Sequence, residues 1–124
     1  MSIQTNHYAE TLTVDGGVLK VKSAYADQSK NVNVPVTGFT LTIGNAVSTQ
    51  ILNPAGTLAT GTVTMCATPA DGQCVYVCSS QAITALTVSP NSGQTLINAP
   101  STLALGSGFG YIYDTASTTW FRLY

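Results

Sequence analysis

The sequence predicts an all-β domain, a β-sandwich of the jelly-roll type built from short antiparallel strands. Apolar and polar residues alternate with a period of two along much of the chain, which indicates strands that bury one face. Turn-forming Gly, Pro, Asn and Asp residues recur roughly every eight to twelve residues. Turns at this spacing leave little room for helices, and no helix is predicted.

Threonine occupies the polar side of the alternating segments. It is β-branched and hydrogen-bonds readily, so it suits the exposed face of a strand. The alternating apolar residues are Leu12 and Val14, then Phe39, Leu41 and Ile43, and then Val63 and Met65. Each group predicts one strand with a buried apolar face.

The segment from Cys74 to Cys78 has no clearly polar face, which predicts a central strand covered on both sides. In the next apolar segment the alternation slips by one residue, and this indicates a bulge near Thr84 and Ala85.

The end of the chain is rich in aromatic residues and predicts a closing hairpin. One strand places Phe109, Tyr111 and Tyr113 on a single face. In the other strand, one face carries Trp120, Arg122 and Tyr124, and the opposite face carries Phe121 and Leu123.

The three cysteines are odd in number, so at least one is free or bonds to another chain. Cys74 and Cys78 on one strand would lie about 13 Å apart, beyond the roughly 7 Å limit for a disulfide. Cys66 and Cys74 flank the turn at 68–72 and could face each other across a hairpin. Reduced thiols that act as small apolar residues are the favoured alternative.

Charged residues are almost absent from the middle of the chain. The 83 residues from Asn31 to Tyr113 contain one formal charge, Asp71, and the whole chain has a net charge of −1. Four basic residues are too few for a nucleic-acid binder, which neutralises phosphates with Lys and Arg. A net charge near zero also favours association, so we expect an assembled protein.

Catalytic, metal and cofactor sites are not predicted. His7 is the sole histidine, no nucleophile motif accompanies it, and the cysteine spacing does not suit zinc. A glycan hydrolase would need a close pair of carboxylates. Three of the five carboxylates, Asp15, Asp71 and Asp114, lie in turn sequences, where Asp normally hydrogen-bonds the backbone. We therefore expect a protein that is not an enzyme.

Residues 1–30 differ from the rest, because they contain six of the nine charged residues. We interpret them as an N-terminal arm or first hairpin that contacts a partner, and residues 31–124 as the β-sandwich domain. The candidate partner-binding residues of this arm are Tyr8, Lys20, Lys22 and Lys30. The chain start lacks the features of a signal peptide and no segment is apolar enough to span a membrane, which predicts synthesis in the cytoplasm and no membrane partner.

The aromatic residues near the C-terminus allow two interpretations. They could fill a core or subunit interface, or they could form a platform on which a glycan stacks. The residues concerned are Tyr111, Tyr113, Trp120 and Tyr124.

Several runs in residues 36–124 resemble a β-rich module of tailed-phage virion proteins, found in tail-fibre-like and head-decoration contexts. The most specific part is the closing pattern of an aromatic strand, an Asp turn and Trp-x-Arg. The runs are 52–58, 69–73, 83–88, 93–95, 108–113 and 119–123. The resemblance implies a homotrimeric β-structured subunit bound to a capsid or tail, without enzymatic activity.

The expected function is therefore that of a capsid decoration, or cement, protein located in the virion. It would trimerise and clamp subunits of the major capsid protein, or another virion protein, through its N-terminal segment. The alternative is a tail-fibre or receptor-binding module that recognises a glycan on the host surface.

Overall fold

The computed structural model describes Gly16, Gly17, Lys22, Ala26 and residues 29–124, and this part of the chain is all-β, as predicted. The described residues form nine strands and no helix. The strands are β1 (Lys30–Asn33), β2 (Phe39–Thr42), β3 (Thr49–Leu52), β4 (Leu58–Thr64), β5 (Cys74–Ser79), β6 (Ile83–Ser89), β7 (Thr95–Leu96), β8 (Gly108–Asp114) and β9 (Thr119–Arg122).

The first six strands form three stacked coils rather than a jelly roll. Each coil contributes one strand to each of two sheets: β1, β3 and β5 are neighbours in one sheet, and β2, β4 and β6 make up the other. All pairs within these two series are parallel. The predicted jelly-roll arrangement of antiparallel strands is therefore wrong, because the short turns carry the chain from one sheet to the other instead of reversing it within a sheet.

A seven-residue pattern aligns the coils. Segments 36–42, 58–64 and 83–89 each begin with Val, Leu or Ile and end with Thr, an apolar residue, and Thr or Ser. The parallel register places them directly above one another, with Phe39 beside Gly61 and Gly61 beside Leu86. Thr84 and Ala85 are both exposed between buried neighbours, so the alternation breaks where predicted. The predicted bulge is absent, because β4 and β6 keep the same register on both sides of the break and no extra residue is inserted.

The core lies between the two sheets and consists of aliphatic residues from the coils with aromatic residues from β8 and β9. The buried polar side chains among the described residues are those of Ser79, Thr119 and Gln50. The side chain of Gln50 is 0% exposed. Its Nε2 donates to Asn33 Oδ1 at 2.7 Å, and its Oε1 accepts from Asn31 Nδ2 at 3.1 Å. These three amides stack across β1 and β3, so the buried amide of Gln50 is hydrogen-bonded.

An antiparallel hairpin closes the stack at its C-terminal end. β8 pairs with the free edge of β5, and β9 pairs with β8 and β7, which completes the sheet order β1-β3-β5-β8-β9-β7. The predicted aromatic hairpin is confirmed. The segment 101–103 covers the edge of β6, since Leu86 donates its N–H to Ser101 and Ile83 bridges to Leu103.

All three cysteines are free. Cys66 follows β4 in one sheet and Cys74 begins β5 in the other, so the turn between them links the two sheets and is not a hairpin. β5 is a central strand of the six-stranded sheet, as predicted. Its inward residues are buried, while its outward residues, including Cys74 and Cys78, are half-buried.

Candidate assembly surface

The outward side of the six-stranded sheet carries a continuous set of apolar side chains. Val32, Ile51 and Cys78 are aligned across three neighbouring strands. A second row joins Cys74 to Ile112 and Ile112 to Phe121. We name this surface the outer apolar face, and its members are Val32, Ile51, Cys74, Tyr76, Cys78, Ile112, Phe121, Leu123 and Tyr124.

A pair of tyrosines lies between the two rows. The rings of Tyr76 and Tyr124 stack with their centroids 5.9 Å apart. Both rings lie over Gly110, since a Cβ at Gly110 would stand 2.7 Å from Tyr76 Cδ1 and 3.0 Å from Tyr124 Cε1. The absence of a side chain at this position therefore makes room for the aromatic pair.

A bulge at the end of the chain places Tyr124 on this face. Leu123 N donates to Gly110 O at 2.8 Å, and Gly110 N donates to Tyr124 O at 3.2 Å. Two residues thus oppose one, which is the definition of a β-bulge. Simple alternation predicted that Tyr124 would share the face of Trp120, and the bulge is the reason that it does not.

The outer apolar face is substantially accessible and has no acidic or basic member. Phe121 is 44% exposed, Leu123 48% and Tyr124 60%. Lys30 begins β1 and is aligned with Thr49 and Tyr76, so it lies at the rim of this face. An exposed apolar surface with its charge at the rim is typical of a protein interface.

The other predicted aromatic residues are in the core. Trp120 and Tyr111 are 0% exposed and Tyr113 is 7% exposed. Trp120 Nε1 donates to Gln94 Oε1 at 2.9 Å, and Tyr111 OH donates to Asn98 O at 3.1 Å. Burial raises the pKa of the Tyr111 hydroxyl, and Arg122 opposes this shift. Of the two interpretations, only the core applies to these three residues, and none of them can stack on a glycan.

The predicted basic residues are placed only in part. Lys22 and Lys30 are both exposed. Tyr8 and Lys20 lie outside the described residues, as does most of the predicted arm at 1–30.

The carboxylates of Asp71 and Asp114 both accept hydrogen bonds from the turn that joins β8 to β9. Asp71 Oδ1 accepts from Thr115 N at 3.0 Å, and Asp114 Oδ2 accepts from the N–H and hydroxyl of Ser117. The hydrogen bonds from Ser117 hold the pKa of Asp114 below its usual value. Both carboxylates are committed to backbone donors in exposed turns, which matches the role predicted for them.

Two shallow concavities lie along the coils. One is lined by residues that include Asn45, Gln73 and Cys74, and the other by residues that include Val34, Phe39 and Leu41.

Within the described part of the chain, no three His, Cys, Asp or Glu residues are grouped so that they could hold a metal ion. No helix in that part is long and apolar enough to cross a membrane.

Comparison with known proteins does not assign the chain to a family. No protein-family model matches the chain, and no curated protein is similar to it.

The outer apolar face was not predicted as a unit, because its members come from five strands. Two sequence features indicated parts of this face. They are the lack of a polar side in 74–78 and the apolar residues opposite Trp120 in 119–123.

Proposed function

We propose that this protein is a structural component of a phage virion, a capsid decoration protein that works as a homotrimer packed through its outer apolar face. The observation that supports the proposal most directly is that face, which exposes Phe121, Leu123 and Tyr124 around a stacked tyrosine pair. In a soluble monomer these apolar side chains would stay exposed to water, which is unfavourable, whereas a subunit interface buries them.

The chemistry of the described residues also favours a scaffold. Asp71 and Asp114 hydrogen-bond to a turn, and no buried side-chain N or O atom of the described residues lacks a hydrogen-bond partner. A subunit of this kind stabilises a particle through the surface area that it buries against neighbouring subunits. In the proposed assembly, Lys30 at the rim supplies a charge contact to the major capsid protein or another virion protein.

The alternative, a tail-fibre module that recognises a host glycan, has less support. Three of the four aromatic residues proposed for stacking are buried, and only Tyr124 is exposed. A glycan platform would have to consist of Tyr124 with its stacking partner Tyr76.

The proposed interface can be tested with a matched pair of substitutions. Phe121→Asp puts a charge into the outer apolar face, and Thr87→Asp puts the same charge on an exposed position of the other sheet. We expect sedimentation velocity to show a trimer for the wild type and for Thr87→Asp, and a folded monomer for Phe121→Asp. A wild-type protein that remains monomeric at micromolar to millimolar concentration would overturn the interface.

The thiols provide a second readout of the same interface. Cys78 is half-buried on the outer apolar face, and Cys66 is buried in the core. We expect Cys78 to be protected from alkylation in the trimer and reactive in Phe121→Asp, while Cys66 stays protected in both.

The virion role needs its own experiment. Particles that lack the protein should lose resistance to heat or osmotic shock, and added wild-type protein should restore it where Phe121→Asp does not. Unchanged particle stability, together with binding on a glycan array that disappears in Tyr124→Ala, would favour the receptor-binding alternative.

A further inference from the structure

The outward side of the three-stranded sheet carries a regular array of hydroxyl groups. Each strand of this sheet ends in the tripeptide Thr-x-Thr or Thr-x-Ser, at 40–42, 62–64 and 87–89. The parallel register aligns the three tripeptides in two rows, and each row crosses all three strands. We name this surface the threonine face. Its first row is Thr40, Thr62 and Thr87, and its second row is Thr42, Thr64 and Ser89.

The hydroxyl groups of the threonine face are accessible. The residues between them, Leu41, Val63 and Val88, pack into the core, so by alternation all six hydroxyl groups lie on the outward side. Three of the six members are exposed and three are half-buried. Within the described part of the chain, none of the six hydroxyl groups has a hydrogen-bond partner. Their donors and acceptors are therefore available to a ligand outside the fold.

The spacing of this array is close to that of the oxygen atoms in ice. Neighbouring strands lie about 4.8 Å apart, and alternate residues of one strand are about 6.7 Å apart. In a tetrahedral network with hydrogen bonds of about 2.75 Å, alternate oxygen atoms lie about 4.5 Å apart and the layers repeat after about 7.3 Å. In each direction the two spacings differ by less than about a tenth, which small side-chain rotations can absorb.

The chemistry of the threonine face also suits a neutral lattice of water. Each hydroxyl group both donates and accepts hydrogen bonds, as each water molecule in ice does. None of the strands β2, β4 and β6 contains a charged residue, so the face and the lattice are matched in charge. A platform for a glycan would need an exposed aromatic ring, and the aromatic residue of these strands, Phe39, packs against the core.

The threonine face and the outer apolar face lie on opposite sides of the molecule, because the core separates the two sheets. The proposed trimer therefore leaves the threonine face free. We propose that the threonine face binds the surface of ice, with its two rows of hydroxyl groups taking the places of water molecules in the lattice. This activity goes beyond the proposed structural role and does not depend on it.

Partitioning of the full chain into slowly growing ice tests the proposal. Thr87→Asp puts a charge into the first row, and Thr57→Asp puts the same charge on an exposed position in the turn before β4. We expect the wild type and Thr57→Asp to be incorporated into the ice. The incorporated fraction of Thr87→Asp should be at least about tenfold smaller, because a neutral lattice offers no partner to a charge. Circular dichroism near the freezing point verifies that both variants are folded.

The other outcomes would overturn the proposal. Exclusion of the wild type from ice would do so, as would equal incorporation of Thr87→Asp and Thr57→Asp. Binding to crystalline cellulose that Thr87→Asp abolishes, without incorporation into ice, would assign the face to a polysaccharide surface instead. Phe121→Asp separates this inference from the proposed trimer. We expect this variant to be incorporated like the wild type, and its exclusion from ice would contradict the threonine face as the binding surface.

Discussion

The phenyl ring of Phe39 occupies the space that a side chain at Gly61 would need. A Cβ atom at Gly61 would overlap with Phe39 Cε1. The two residues are partners in the ladder between β2 and β4, so a large side chain in the first coil is fitted to an empty position in the second. Phe39 thereby packs against the core even though its strand is at the edge of the sheet.

Gly61→Ala should therefore displace the Phe39 ring from the core. We expect a loss of about 1–3 kcal/mol in the free energy of unfolding, the usual cost of overpacking or of exposing one aromatic side chain. Urea titration followed by Trp120 fluorescence measures it. Gly56→Ala is the matched control, because nothing lies within 4 Å of its Cβ position. Equal midpoints for the two variants would contradict the fit between Phe39 and Gly61.

Gln94 connects the C-terminal hairpin to the end of the second coil. Its Oε1 accepts from the indole of Trp120 and from Asn91 N, and its Nε2 donates to Cys66 O at 2.9 Å. Gln94→Ala leaves the buried indole N–H without a partner, so we expect a loss of about 2–3 kcal/mol in thermal or urea unfolding. Gln81→Ala, in which the Ser79 hydrogen bonds to the backbone are kept, should change stability by less than about 0.5 kcal/mol.

Thr118 has φ +50°, a left-handed conformation that a β-branched residue adopts at a cost. Thr118→Gly should relieve this strain and raise the melting temperature by about 2–4 °C. Thr115→Gly in the same turn is the control, and we expect it to lower the melting temperature. Thr115 does not have a left-handed conformation, so glycine there relieves no strain and only adds conformational freedom to the unfolded chain. Calorimetry that shows both variants destabilised would exclude strain at Thr118.

The turn at Asp114 should make stability depend on acidity. The hydroxyl and N–H of Ser117 lower the pKa of Asp114 in the folded state below its unfolded value of about 3.9. The stability that these hydrogen bonds give to the folded state is therefore complete above the unfolded pKa of Asp114. It is lost as the pH falls through the folded pKa of Asp114. We expect the difference in melting temperature between the wild type and Asp114→Asn to shrink as the pH falls from about 5 to about 2. A difference that does not vary with pH would contradict this role.

Burial raises the pKa of the Cys66 thiol, which favours its unreactive protonated form. We expect Cys66 to react with a thiol reagent only when the chain unfolds, whereas Cys74 and Cys78 react in the folded monomer. Rapid labelling of all three thiols in native buffer would contradict the core position of Cys66. Mass spectrometry of the labelled peptides distinguishes the sites.

The amino-acid sequence alone determined the strands, because a side chain's polarity reveals which face of a strand is buried. The alternation of Phe39 and Leu41 with threonine, the break at Thr84 and the aromatic closing hairpin were all predicted in this way. The turn roles of Asp71 and Asp114 were also predicted, since an Asp in a turn bonds to backbone only a few residues away or across one corner.

Only the tertiary structure decided which strands are neighbours. Alternation is the same in parallel and antiparallel sheets, so it did not distinguish stacked coils from a jelly roll, although the repeat shared by 36–42, 58–64 and 83–89 was present in the sequence. The burial of Trp120, the place of Tyr124 over Gly110 and the outer apolar face depend on partners far away in the chain. Backbone pairing across such distances, and the bulge that turns Tyr124 outward, are set by the packing of the whole fold and leave no local pattern.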